Sequence, residues 1–362
     1  MLSTYQRGRA FVLTLAIVAG CSPAASTSNT GPTSPAETTA VPTSTTPPGR
    51  TAAPTTGLPA FAQDEPLVMF ALRTDLGGGI FVMHPDGTNR AQLATDVLPG
   101  VHKAPDWSPD GQHVVFVAFV DEQVSGLRIA HLDGSPTDVV DACRERVCDD
   151  PAWSPDSTRI AFTVNESKKG VEAPSASSIM VLTLATGEVQ SVVRLERPIL
   201  AQAARWSPDG SQLVIQVDQM DDEAFETGAA IAVVQLAGGE PRYLTAFDVY
   251  AGSPDWSWTR DEIVYAVDLA GFQRTPPGDD IAWELFAVKP DGTGLRQITT
   301  LGAGARLHAP RWAPSGASIF AKQYDHNAGG GRLVDPVTGA VTAFLTGLEE
   351  ARPLMRPAVT GP

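Results

Sequence analysis

Trp107, Trp153, Trp206, Trp256 and Trp312 each head one recurring motif. The copies read APDWSPDGQHVVFVAF, DPAWSPDSTRIAFTV, AARWSPDGSQLVIQV, SPDWSWTRDEIVYAV and APRWAPSGASIFAKQ. Self-similarity at a period of roughly 40–50 residues marks a solenoid, a propeller or another array, and it constrains the fold before any local reading does.

Each unit has the same grammar. A short strand ends in the Trp, and Ser-Pro-Asp-Gly then supplies the residue types of a tight turn: Pro presets φ, and Gly suits the last position. An apolar strand follows, at Val114–Phe119, Ile160–Val164, Leu213–Val217, Ile263–Val267 and Ile319–Lys322. These β-branched and aromatic runs, bounded by turn residues, read as strands buried on both faces. A third strand comes after a loop of variable length, at Leu127–Leu132, Ile179–Leu184, Ile231–Leu236 and Trp283–Val288. A Gly-containing turn then leads to a fourth, edge-like strand such as Leu295–Thr299. Four antiparallel strands per unit make a propeller blade.

Residues 67–95 carry strands two to four of a further blade but no Trp strand. The late segment ARPLMRPAV supplies a degraded version of the missing piece. The expected fold is all-β: five complete units and one composite, a six-bladed propeller over 65–362 closed by its C-terminal strand. Closure removes exposed sheet edges.

These motifs resemble the PD40, or TolB-like, repeats of bacterial six-bladed propellers. The Trp-Ser-Pro-Asp-Gly turn, the apolar strand and the later Asp-Gly turn carry the likeness, over roughly residues 66–360. It implies the fold. Such repeats also serve in periplasmic Tol-system components, peptidase propellers, lyases and lipoproteins, so a shared function is not implied. No segment reads as the separate α/β domain of TolB proper, and no Gly-x-Ser-x-Gly elbow marks a hydrolase.

The start of the chain reads as an export signal over 1–20. Arg7 and Arg9 precede a short apolar core, Ala10–Val18, too short to span a bilayer. Val18-Ala19-Gly20-Cys21 resembles a bacterial lipobox, which implies lipidation of Cys21. Residues 21–64 are rich in Thr, Pro, Ser and Ala and cannot bury enough surface to offset their ordering entropy. They are expected to form a disordered tether. The expected address is the outer face of the cytoplasmic membrane, with the membrane touched only through the lipid anchor. Of three cysteines, Cys143 and Cys148 remain for a disulfide.

The net charge of −15 argues against nucleic acid and favours a neutral or cationic partner. Residues repeated in every blade serve the blade, so the five tryptophans, with Asp110, Asp156 and Asp209 in the turns, are structural. Function is expected where the units differ, in the loops between second and third strands. Asp218, Asp221, Asp222, Glu223 and Glu226 sit in one loop region, and Asp268, Asp279 and Asp280 in the next. Three readings stay open there: a solvated rim, a surface for a basic partner, or a Ca²⁺ site. Phe225, Tyr250, Phe272 and Trp283 lie in or beside these loops; exposed, they would suit a carbohydrate or peptide contact, but each one singly is expected to tuck back onto its blade. His102 and His308, before their Trp strands and near Asp149 and Asp150, are weak candidates for a metal or acid–base cluster at the channel mouth. His84, His113, His131 and His326 read as scattered surface residues. The expected function is a monomeric, non-enzymatic binding or scaffold module for an envelope protein or glycan. The alternative is an envelope lyase or hydrolase working on glycans from the channel mouth.

Overall fold

The structure, a computed structural model, describes residues 61, 65–74, 77–94, 102–119, 125–143, 146–166, 174–269, 282–323, 330–344, 354–355 and 357. Cys21 and the signal segment lie outside these residues, as do Phe272, Asp279, Asp280 and His326.

Six four-stranded antiparallel sheets form the blades of a propeller. Blade 1 is composite: Leu354–Met355 pairs with Val68–Thr74, followed by Gly77–Met83 and Ala91–Leu93. Val68 faces Met355 and Met69 faces Leu354, so the late segment closes the ring as its residues suggested. The innermost strands of blades 2 to 6 are His102–Trp107, Val147–Trp153, Ile199–Trp206, Ala251–Trp256 and Leu307–Trp312. The second strands begin within a residue of expectation, for example His113–Phe119 and Ile263–Asp268.

The loops of blades 3 and 4 are shorter than the sequence suggests. In blade 4 the second strand runs to Met220 and the third begins at Glu226, not Ile231. The hairpin stays paired through Asp218↔Ala229 and absorbs an extra residue by a register shift after Gln219. Asp218 and Glu226 are therefore strand residues.

Each tryptophan packs against the preceding blade. Trp153 shares a core with Val115, Val117 and Leu127 of blade 2 and Ile160 and Phe162 of its own blade 3. Trp107, Trp206, Trp256 and Trp312 do the same at the other junctions between consecutive blades. Burying a ring of this size contributes about 3 kcal/mol or more per junction. The tight turns are closed by their own side chains: Asp110 accepts the Gln112 N–H at 2.9 Å and the Ser108 hydroxyl at 2.6 Å. Asp156 and Asp209 repeat the arrangement. Burial alone would raise Asp156, but the Ser154 and Thr158 bonds pull its pKa down to about 2. Where the glycine of this turn is replaced, as at Ser157, the residue still takes the left-handed conformation, φ 58°.

Cys143 and Cys148 are joined as a disulfide whose Cα atoms stand 5.8 Å apart. Both are buried at the junction of blades 2 and 3.

Candidate functional site

The innermost strands line the central channel, and they share a backbone irregularity. Each of the five Trp strands shifts register between the fourth and the first residue before its Trp. The residue three before the Trp is left-handed in every case: Ala104, Asp150, Ala203, Ser253 and Ala309, with φ from 47° to 54°. Such bulges bend and twist a strand and re-aim the side chains that follow. None of the five is glycine, so each carries strain of order 1 kcal/mol.

The residue just before each Trp faces this channel. In blades 2 to 6 it is Asp106, Ala152, Arg205, Asp255 and Arg311. Asp106 accepts the backbone N–H of Trp153 at 2.9 Å, and Asp255 that of Trp312 at 2.7 Å. Asp255 also receives Arg311 at 3.2 Å. In blade 3, where the position is Ala152, its carbonyl accepts the Trp206 indole N–H at 3.0 Å. The same strand position thus ties one blade to the next by three different bonds. Burial pushes Asp106 up to about 6 and Asp255 up to about 7, against the pull of Arg205 and the Trp N–H groups. Arg205 is 8% exposed. One of its terminal nitrogens donates to the Ala204 carbonyl at 2.6 Å, and its Nε is buried without a protein partner.

Two cavities meet at this level, and Arg205, Arg311 and Phe320 line both. One is walled by the left-handed residues, prolines and Lys322. The other is a cleft of about 660 Å³, open solvent included, at the turn end of the channel. Its lip carries Trp258, Pro314, Met355 and Pro357. Trp258 stands where the four other Trp units have the turn proline, and its side chain is 37% exposed. A large aromatic over a rigid opening is a contact surface in search of an apolar or sugar face.

The acidic candidates are not displayed together. Asp218 is buried, takes hydrogen bonds from Gln216 at 2.6 Å and from Gln202, and is pushed well upward by burial and by Glu226. Glu226 is raised by burial and by Asp268. Asp268 is itself buried at the end of its strand. Asp221 caps its own turn, accepting the N–H groups of Glu223 at 3.0 Å and Phe225 at 2.8 Å. Asp222 and Glu223 are exposed, as is Phe225. The Tyr250 hydroxyl donates to the Thr227 carbonyl. Among the described residues, no three His, Cys, Asp or Glu side chains gather as a metal site.

His102 and His308 occupy different register positions. His308 lies opposite Lys322, the place that Lys103 holds opposite Val117 in blade 2. His102 is one register position away, opposite Ala118. His308 packs on Trp283 with ring centroids 4.5 Å apart. Asp149 accepts the Asp150 N–H at 2.9 Å.

Two sets of residues went unnoticed in the sequence. The first is the channel position before each Trp, which reads Asp, Ala, Arg, Asp, Arg inside an otherwise uniform motif; that variation was the available signal. The second is His113 and His131, which are not scattered but directly paired across one hairpin.

The family model described as TolB beta propeller domain matches residues 117–358, about two thirds of the chain. An uncharacterized peptidase, YuxL, of Bacillus subtilis is 31% identical over 169 residues, which is 44% of this chain. The chain spans 23% of that relative's length. Among solved structures, TolB from Acinetobacter baumannii aligns with a TM-score of 0.58 at 15% identity, covering 83% of this chain and 68% of that one. A putative TolB from Agrobacterium tumefaciens aligns at 0.55 and 18% identity, covering 81% and 98%.

Proposed function

The chain belongs to the TolB beta propeller family, and from that premise we propose that it is a binding and scaffold module for an envelope protein or glycan. One observation carries this reading. The turn-end cleft exposes Trp258 at the one turn where the repeat departs from its proline, over a channel whose charged groups tie blade to blade. A rigid rim with an aromatic platform suits an extended peptide or a sugar ring. The net charge of −15 favours a neutral or cationic partner. Cys21, as a lipidated N-terminus, and the Thr/Pro-rich residues after it would hold the propeller away from the membrane surface.

Site-specific photo-crosslinking tests the reading. A photoreactive residue at position 258 of the full chain, in its own cell envelope, should capture one defined protein or glycan. The same residue at Val139, 70% exposed on an outer strand, should not. Equal capture at both positions, or none at 258, overturns the proposal.

The enzyme alternative has one support, the partial match to a peptidase. Hydrolysis of envelope glycans or of a peptide library by the purified chain would establish it instead.

A further inference from the structure

We propose that His113 and His131 form a two-imidazole site for a first-row divalent transition metal, on the outer half of blade 2 where it meets blade 3. The two residues are cross-strand partners: His113 opens the second strand and His131 ends the third. Their Nδ1 atoms face each other at 2.9 Å, with the rings nearly perpendicular at 86°. Each remaining ring nitrogen is turned to a carboxylate. His131 Nε2 lies 3.2 Å from Asp138, and His113 Nε2 lies 4.0 Å from Asp110. The pair opens onto a groove that Asp110, Asp138, Ile129 and Leu182 also line, so further ligand positions are reachable from solvent.

For His131 the arrangement is the one a metal-binding histidine needs, whereas His113 Nε2, 4.0 Å from Asp110, lies beside a carboxylate without a hydrogen bond to it. A ligating imidazole presents one nitrogen to the ion and donates its other N–H to a carboxylate, which fixes the tautomer and makes the ring a better ligand. Without a metal, the Asp138 contact places the proton of His131 on Nε2, so its Nδ1 accepts and His113 Nδ1–H donates. On binding, His113 transfers that proton through solvent to its own Nε2, toward Asp110, and both Nδ1 lone pairs turn to the ion. Both rings stay neutral and no net proton is released. Two nitrogens on one tetrahedral ion stand about 3.3–3.4 Å apart, so the pair opens by about 0.4 Å. Two imidazoles with solvent completing the shell suit Zn²⁺, Cu²⁺ or Ni²⁺ rather than Ca²⁺ or Mg²⁺. His84 offers the contrast: its nitrogens are taken up by Thr88 and Glu65.

Calorimetric titration of the full chain with Zn²⁺, with ¹⁵N spectra of the histidine rings, tests the site. The expected result is one equivalent bound and two Nδ1 resonances shifted. His113→Gln and His131→Gln should each weaken binding at least tenfold. Asp138→Asn, a positioning change, should weaken it by about tenfold with thermal stability unchanged. Wild-type affinity and stoichiometry retained in the His113→Gln/His131→Gln double variant, or no Zn²⁺ binding by the parent, overturns the proposal. If a histidine variant loses its far-UV dichroism, Asp138→Asn decides alone, and parental Zn²⁺ affinity in that variant counts against the site.

Discussion

The carboxylate of Asp255 accepts the backbone N–H of Trp312, 57 positions later and in the next blade, at 2.7 Å. Asp106 makes the matching bond to Trp153 at 2.9 Å, three blades away around the ring. Both carboxylates are half-buried among channel residues and largely desolvated, so both bind protons more tightly than an exposed Asp.

Stability should therefore rise on mild acidification. Burial places Asp106 at about 6 and Asp255 at about 7, against an ordinary 3.8. Between about pH 4 and 7 the folded chain holds protons that the unfolded chain has lost, so stability falls as pH rises through that window. Asp156, held down at about 2, acts in the opposite sense, but only below about pH 4. The melting temperature should be roughly 2–4 °C higher at pH 5 than at pH 7.5. Asp106→Asn/Asp255→Asn, which keeps the acceptor oxygens, should flatten this slope in thermal melts.

The tryptophans are not energetically equal. The Trp206 indole donates to the Ala152 carbonyl, whereas the Trp312 Nε1 is buried with no partner. Trp206→Phe loses a bond and leaves a buried carbonyl with one acceptor contact fewer; Trp312→Phe removes an unsatisfied donor. Denaturant melts should show the first variant less stable than the second by about 1 kcal/mol. Equal losses would refute the assignment.

Turn glycines divide by what their Cβ would meet. At Gly339, with φ 73°, a Cβ would sit 2.1 Å from the Ile298 carbonyl oxygen of blade 5. At Gly134, with φ 81°, it would meet nothing within 4 Å. Gly134→Ala should cost about 1 kcal/mol, the left-handed penalty alone. Gly339→Ala should cost at least twice as much in the same urea titration, because blade 5 backbone must move.

Reduction should loosen the junction of blades 2 and 3. The Cys143–Cys148 bond closes a loop with a sequence separation of only 5, so its entropic contribution is about 2 kcal/mol. A melting temperature lowered by reductant in the parent, and unaffected in Cys143→Ser/Cys148→Ser, is the expected pattern.

The fold was open to reading from Trp107 through Trp312 because buried strands announce themselves as unbroken apolar runs between turn residues. Even the weak strand at Leu354–Met355 could be found, since the first blade lacked its inner piece. The site was less legible. Ala104, Ala203 and Ala309 are left-handed, and alanine carries no mark of that conformation. Asp218 and Glu226 looked like loop acids because a hairpin's paired length depends on register, which a polar stretch does not reveal. The encounter of His113 with His131 likewise depends on the register of their hairpin. Trp258 also went unread: its departure from the turn proline is visible in the repeat, but only the cleft beside it gives that departure a meaning.

Two residue pairs, Val68 with Met355 and Met69 with Leu354, fasten the circle. During synthesis the first of these partners emerges almost three hundred residues ahead of the second. Until then Val68 and Met69 present a bare, apolar sheet edge that another strand can occupy. Assembly therefore cannot finish co-translationally before residue 355 has been made. A helper that shields the opening blade in the interval would raise the yield of correctly latched molecules.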